Sequence, residues 1–222
     1  MAAPNRDSEA GPVAADRAVT GALAKHEGEE RALMRAAYRV MAQHESQTAS
    51  VQEILAEAGL STRAFYRHFA SKEDLLVAMV REDSTRADAQ LAEVVRAAAT
   101  PTGAILAWID HWLGLAYDPA RLRHTRVLSS DEAVAVAGRR NVRDAVQRTS
   151  VAMLAQVLAA GQRSGEFPTA QPDDDARAIQ AVVLTLVQAR VHREPAPSLS
   201  AARAHLVSVL RRLLGGTLSD EA

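Results

Sequence analysis

No cysteine occurs among the 222 residues, which excludes disulfides, thiolate chemistry and zinc sites built on sulfur. Aromatics are scarce at 4%, alanine is abundant, and no β-branched alternation of strand length stands out, so an all-α chain is expected. No segment reaches the ~18–20 unbroken apolar residues that span a bilayer. Met1 to Lys25 is polar, alanine-rich and broken by Gly and Pro, unlike a hydrophobic export signal, and a cytoplasmic protein without a membrane partner is expected. Catalytic signatures are missing too. The seven histidines fall into no His-Glu-x-x-His spacing, there is no Gly-x-Ser-x-Gly elbow, and Gly215-Gly216 stands alone without a phosphate-cradling loop. Asp173, Asp174 and Asp175 splay around a helix start, where compensation of the dipole explains them more simply than a metal. The expectation is a non-enzyme with no cofactor and no metal.

What the chain does have is concentrated between Thr48 and Met79. Ser50 precedes the apolar Val51 and has Glu53 three residues later, the reciprocal pairing that opens a helix. Ile54, Leu55 and Ala58 continue one apolar face, and Gly59 follows where a helix end needs positive φ. Ser61 can cap a second helix carrying Phe65 and Phe69 inward, and Ser71 with Asp74 can open a third. Helix, tight turn, helix is the outline of a helix-turn-helix. With the phenylalanines in the core, Thr62, Arg63, Tyr66, Arg67 and His68 are left pointing elsewhere. Between Ser61 and Lys72 the sequence holds three cationic side chains and no acidic one, although the whole chain carries a formal −1. Such a strip suits phosphate contact, and arginine or threonine near the helix start can reach base edges in a major groove. A solvated surface helix has the same composition, so charge alone leaves both readings open.

The run GLST followed by FYRHFASKEDLL resembles the DNA-binding domain of the TetR family of bacterial transcription regulators, over about fifty residues including the preceding helix. The resemblance implies that Gly59 to Phe69 forms the turn and recognition helix, with Tyr66, His68 and Lys72 on phosphates. It also implies that Thr62, Arg63 and Ala64 choose the operator. Thr48, Ser50 and Arg67 complete the expected DNA-binding set. Many relatives carry glycine at the position of Arg63 and threonine at that of Ala64, so this operator need not be theirs.

The remaining chain reads as follows. Residues 1–25 lack a sustained apolar period and are expected to form a flexible arm, its acids Asp7, Glu9 and Asp16 offsetting Arg6 and Arg17. Residues 26–72 are expected to form the helix-turn-helix domain, with Leu33, Ala36, Ala37, Val40 and Met41 as the packing stripe of its first helix. Arg31, Arg35 and Arg39 lie on another face of that helix; Glu27 can pair with Arg31, or these arginines can meet phosphates. Residues 73–222 are expected to form a larger helical ligand-binding and dimerisation domain. Thr100-Pro101 and Asp118-Pro119 are start signals, a cap followed by proline at the first helical position.

Two groups of residues there bear on function. Trp108, His111, Trp112, Tyr117, His124 and Met153 are candidates for lining a cavity, although a tryptophan stripe at helical spacing is also plain core. In the last two helices the apolar residues wrap too far around for one buried side, with Val182, Val183 and Leu186 on one helix and Leu206, Val209, Leu210 and Leu213 on the other. Either both helices lie inside a monomer or they form a two-fold four-helix interface. The family resemblance implies the homodimer, an inducer pocket for an unknown small molecule, and repression of a palindromic double-stranded operator. Ligand binding would then tilt the Lys72 to Arg96 helix and change the spacing of the recognition helices. The alternatives are an all-α dimeric interaction protein without specific DNA binding and, further off, an enzyme.

Overall fold

The computed structural model describes residues 12–43, 49–139 and 142–215, and every regular element among the described residues is an α-helix. The chain divides into two compact units, residues 1–72 and 73–222.

The first unit holds α1 (Pro12–Gln43), α2 (Val51–Ala58) and α3 (Thr62–His68). Leu33, Ala36, Ala37 and Val40 of α1 are buried, the i, i+3, i+4, i+7 stripe that lets this helix pack on both α2 and α3. The start of α1 differs from expectation. A flexible arm is expected over residues 1–25, yet the helix begins at Pro12. An alanine-rich segment needs no buried stripe to be helical, and proline at the first turn lacks only an amide that has no partner there anyway.

Local chemistry sets the next boundaries. The Ser50 hydroxyl accepts from the Glu53 amide and the Glu53 carboxylate accepts from the Ser50 amide, closing the reciprocal box that starts α2. Gly59 ends it at φ 65°, in the left-handed region that an L side chain enters at a cost. The Ser61 hydroxyl then accepts from the Ala64 amide and starts α3.

The second unit is built from α4 (Lys72–Ala97), whose first residue closes the unit before it, followed by α5 (Pro101–Tyr117), α6 (Pro119–Leu128), α7 (Asp131–Arg139), α8 (Val142–Ser164), α9 (Pro172–Val191) and α10 (Leu199–Leu214). Thr100 and Asp118 cap α5 and α6 with a proline behind each cap, and Ser198 caps α10. At the head of α9 Asp175 accepts from the Gln171 amide, so one of the three acids closes the helix start. The apolar α5 lies centrally, packed on α6, α8, α9 and α10, and contributes Ile105, Trp108, Ile109 and Leu113 to the core. Phe167, in the connection from α8 to α9, is also fully buried, and a Cβ on Gly161 would overlap its ring. That position needs glycine for the close approach.

Candidate nucleic-acid interface

Helix α3 sorts its side chains cleanly. At about 100° per residue, positions i, i+1 and i+4 share a side, and Ala64, Phe65 and His68 have that spacing. Ala64 is 6% exposed, Phe65 is fully buried, and the His68 imidazole has no exposed surface. Thr62, Arg63, Tyr66 and Arg67 occupy the opposite arc and are exposed, Tyr66 at 60%. The Tyr66 ring meets Phe65 edge-on, centroids 5.4 Å apart, so a core residue orients an exposed one.

Two expected contacts are corrected here. Ala64 faces the core of the unit and cannot present its methyl to a base. His68 turns inward as well, its Nε2 3.1 Å from Glu29 Oε2 on α1 and its ring tilted against that of His26 at 34°, with centroids 4.1 Å apart. Arg67 remains on the outer arc but is ion-paired with the same Glu29 carboxylate. The two partners hold the Glu29 carboxyl below its usual range, His68 most strongly and then Arg67. Glu29 is a site residue that reading the sequence missed. It lies 38 and 39 positions from the side chains it joins, and no local spacing announces such a pair.

The Ser50 hydroxyl is engaged in its capping box, donating to Glu53 Oε2 at 2.7 Å, which ties it to the start of α2. Lys72 is half-buried. Thr48 lies outside the described residues. On α1, Arg31 takes the modest alternative and pairs with Glu27 at 2.9 Å, Arg39 pairs with Glu57 of α2 at 2.5 Å, and Arg35 is exposed. The exposed arc of α3 therefore consists of Thr62, Arg63 and Tyr66, with Arg67 ion-paired at its edge.

Residues 33–79 match the family model described as bacterial regulatory proteins, tetR family. The chain carries a TetR-family DNA-binding domain. Three solved structures share its fold. The fatty acid degradation regulator FadR from Bacillus halodurans is 21% identical, with a TM-score of 0.66 over 85% of this chain and 96% of that one. A TetR-family transcriptional regulator from Agrobacterium tumefaciens is 20% identical, with a TM-score of 0.64 over 85% and 99%. A chain from Saccharomonospora viridis in complex with choline is 19% identical, with a TM-score of 0.65 over 83% and 96%. At these identities the likeness is one of fold. No curated protein matches the chain by sequence.

In the second unit, beyond the residues matched to the TetR family, lie the residues expected to line a cavity. Trp108 is fully enclosed in the core cluster, so it is a core residue and not an exposed wall. Trp112, Tyr117 and Met153 are half-buried against the same cluster, with the two indoles 5.9 Å apart. The Tyr117 hydroxyl donates to the Pro197 carbonyl at 3.0 Å while Arg190 lies over its ring. His124 of α6 is 2.5 Å from Asp83 of α4. Four donors are buried without a partner among the described residues of this unit: Trp108 Nε1, Trp112 Nε1, Gln180 Nε2 and Arg190 Nε.

Burial pushes the half-buried His111 down from its ordinary 6.5 to about 4, and the Arg121 guanidinium adds repulsion. The unfolded chain therefore takes up this proton as pH falls through 6.5, whereas the folded chain resists until about 4. Stability of the second unit is expected to fall across that window by about 1–2 kcal/mol, allowing for solvent screening of a ring that is not fully enclosed. His111→Gln should flatten this part of the profile, read from chemical denaturation at both ends of the window. A variant whose profile matches the parent's would rule His111 out as the cause.

The helices expected to pair across a two-fold axis divide into two sets. Val183, Leu206 and Leu210 are buried in their own chain's core, which removes them from any face a partner could touch. The physical reason is that α9 and α10 each pack on α5 as well as on each other. Val182 and Leu186 on α9 and Val209 and Leu213 on α10 are half-buried, each an i, i+4 pair.

Proposed function

We propose that the protein is a cytoplasmic repressor that binds a palindromic or near-palindromic operator as a homodimer and leaves it when a small molecule binds the second unit. One observation carries this reading: α3 is fixed from beneath by Ala64, Phe65 and His68 while Thr62, Arg63 and Tyr66 stand exposed on its other arc. A helix held this way presents side chains to a major groove with little to lose in ordering them. Two-fold pairing is supported by the half-buried stripe of Val182, Leu186, Val209 and Leu213, and would place two copies of α3 on one duplex.

The effector reading is supported by three of the unpartnered donors of the second unit, Trp112 Nε1, Gln180 Nε2 and Arg190 Nε, which favour a ligand bearing hydrogen-bond acceptors. The complex of the Saccharomonospora viridis chain with choline supports a small-molecule site in this fold. Such a ligand acts only through a difference in its affinity for the DNA-bound and free states.

The test is selection of bound genomic fragments with the purified protein, followed by sequencing and by sedimentation of the complex. The expected result is a shared two-fold site occupied by two chains, with affinity that falls steeply as salt rises. Equal, feeble affinity for every duplex would end the regulator reading.

A further inference from the structure

We infer that His26, Glu30 and His68 form a binding site for a divalent transition metal, with Glu29 as the carboxylate that orients His68. His26 and Glu30 stand four apart on α1 and so share a face of that helix, while His68 ends α3. One ligand atom from each lies within 4.8 Å of the others. Bonds of about 2.0–2.1 Å to a tetrahedral ion put its ligand atoms about 3.4 Å apart, a contraction that small side-chain rotations supply.

The second observation concerns His68 itself. Its side chain is fully enclosed, its Nε2 is engaged by Glu29 Oε2 at 3.1 Å, and its Nδ1 is buried with no partner. A proton on Nε2 donated to the carboxylate leaves a lone pair on Nδ1, and a buried lone pair without a donor is costly. A metal ion satisfies it. Carboxylate, imidazole and ion in line is the arrangement by which proteins fix the tautomer of a metal-binding histidine and raise its basicity. The same Glu29 carboxylate is ion-paired with Arg67, which fixes its position against His68.

Two imidazoles and one carboxylate select zinc, nickel, cobalt or copper over magnesium or calcium, which prefer all-oxygen shells. Three protein ligands leave a fourth position for water. The ion would clamp α1 to the last turn of α3. The site is drawn from the first unit alone, goes beyond the regulator reading, and needs no operator for its test.

That test is a titration of the chelator-stripped full chain with Zn²⁺ against a chromogenic chelator, paired with a thermal melt and a Co²⁺ absorption spectrum. The expected result is one high-affinity equivalent per chain, a melting midpoint that rises with Zn²⁺, and a Co²⁺ spectrum of tetrahedral type. His26→Ala and Glu30→Gln should each abolish that equivalent, and Glu29→Gln should weaken it by about 10- to 100-fold. Because the His68 side chain is enclosed and its loss would also disturb packing, the decision rests on His26 and Glu30. His192→Ala with His205→Ala, both exposed and on the other unit, should leave binding intact. Undiminished binding in His26→Ala, loss of binding in the His192/His205 control, or no stoichiometric binding in the parent would each overturn the site.

Discussion

Arg63→Ala combined with Tyr66→Ala lowers affinity for the selected operator by about 100-fold or more while leaving the melting curve unchanged. The size of the effect follows from what the two side chains can do. An arginine that forks onto a guanine edge is worth about 1–3 kcal/mol of discrimination, a phosphate contact adds a smaller share, and a dimer loses each contact twice. The unchanged melt follows from exposure: both residues lie on the outer arc of α3, where substitutions away from special features stay within about ±0.5 kcal/mol. Salt separates the roles. If Arg63 reads a base, Arg63→Ala flattens the preference at one operator position and leaves the salt slope nearly unchanged; if it meets a phosphate, it lowers the slope by about 1 and weakens all sequences alike. Fluorescence anisotropy on the operator and a scrambled duplex at several salt concentrations reads both. A double variant that binds as tightly as the parent would remove α3 from the interface.

How much of this was legible in the sequence depends on how local each feature is. Ser50 with Glu53, Gly59, Ser61, Thr100-Pro101, Asp118-Pro119 and Ser198 each act within a few residues of the boundary they set, and the helices start or stop where those signals stand. The direction of α3 was half legible. Two phenylalanines mark an inner side, but Ala64 and His68 share the arc of Phe65, and a small residue and a polar one do not announce burial. The reach of α1 back to Pro12 carried no signal because a helix without an apolar stripe has no period to detect. The last two helices show the limit most clearly: Val183 and Val182 are neighbours with equal hydrophobicity, yet one is sealed in the core and the other half-open. Periodicity reports that a face is apolar, not what covers it.

The same distinction separates chemistry that depends on spacing from chemistry that depends on folding. The expectation of no metal rests on the absence of cysteine and of a His-Glu-x-x-His spacing. His26 and Glu30 do share a helix face, but His68 belongs to another helix, and only folding brings its ring beside them. Glu29 is invisible for the same reason. It sits in a helix among other charges, and its role comes wholly from what α3 brings to it.

Trp108→Ala should cost the second unit about 3–5 kcal/mol, the largest single loss expected in the molecule. The indole is the bulkiest fully buried side chain and lies at the centre of the helix that packs on four others, so its removal leaves a cavity no neighbour can collapse into. Trp108→Phe is the sharper experiment. It loses part of the ring, but it also removes Nε1, a buried donor without a partner whose desolvation costs about 1–3 kcal/mol. The two terms oppose each other, so the net cost should fall to about 1–2 kcal/mol. The chain's only two tryptophans, Trp108 and Trp112, both lie on α5, so indole fluorescence follows the unfolding of this unit alone and Trp112 still reports in either variant. A Phe variant as unstable as the Ala variant would mean that the indole N–H is satisfied after all. The partner would then be a molecule held in the second unit, and Trp108 would return from the core to the wall of an effector site.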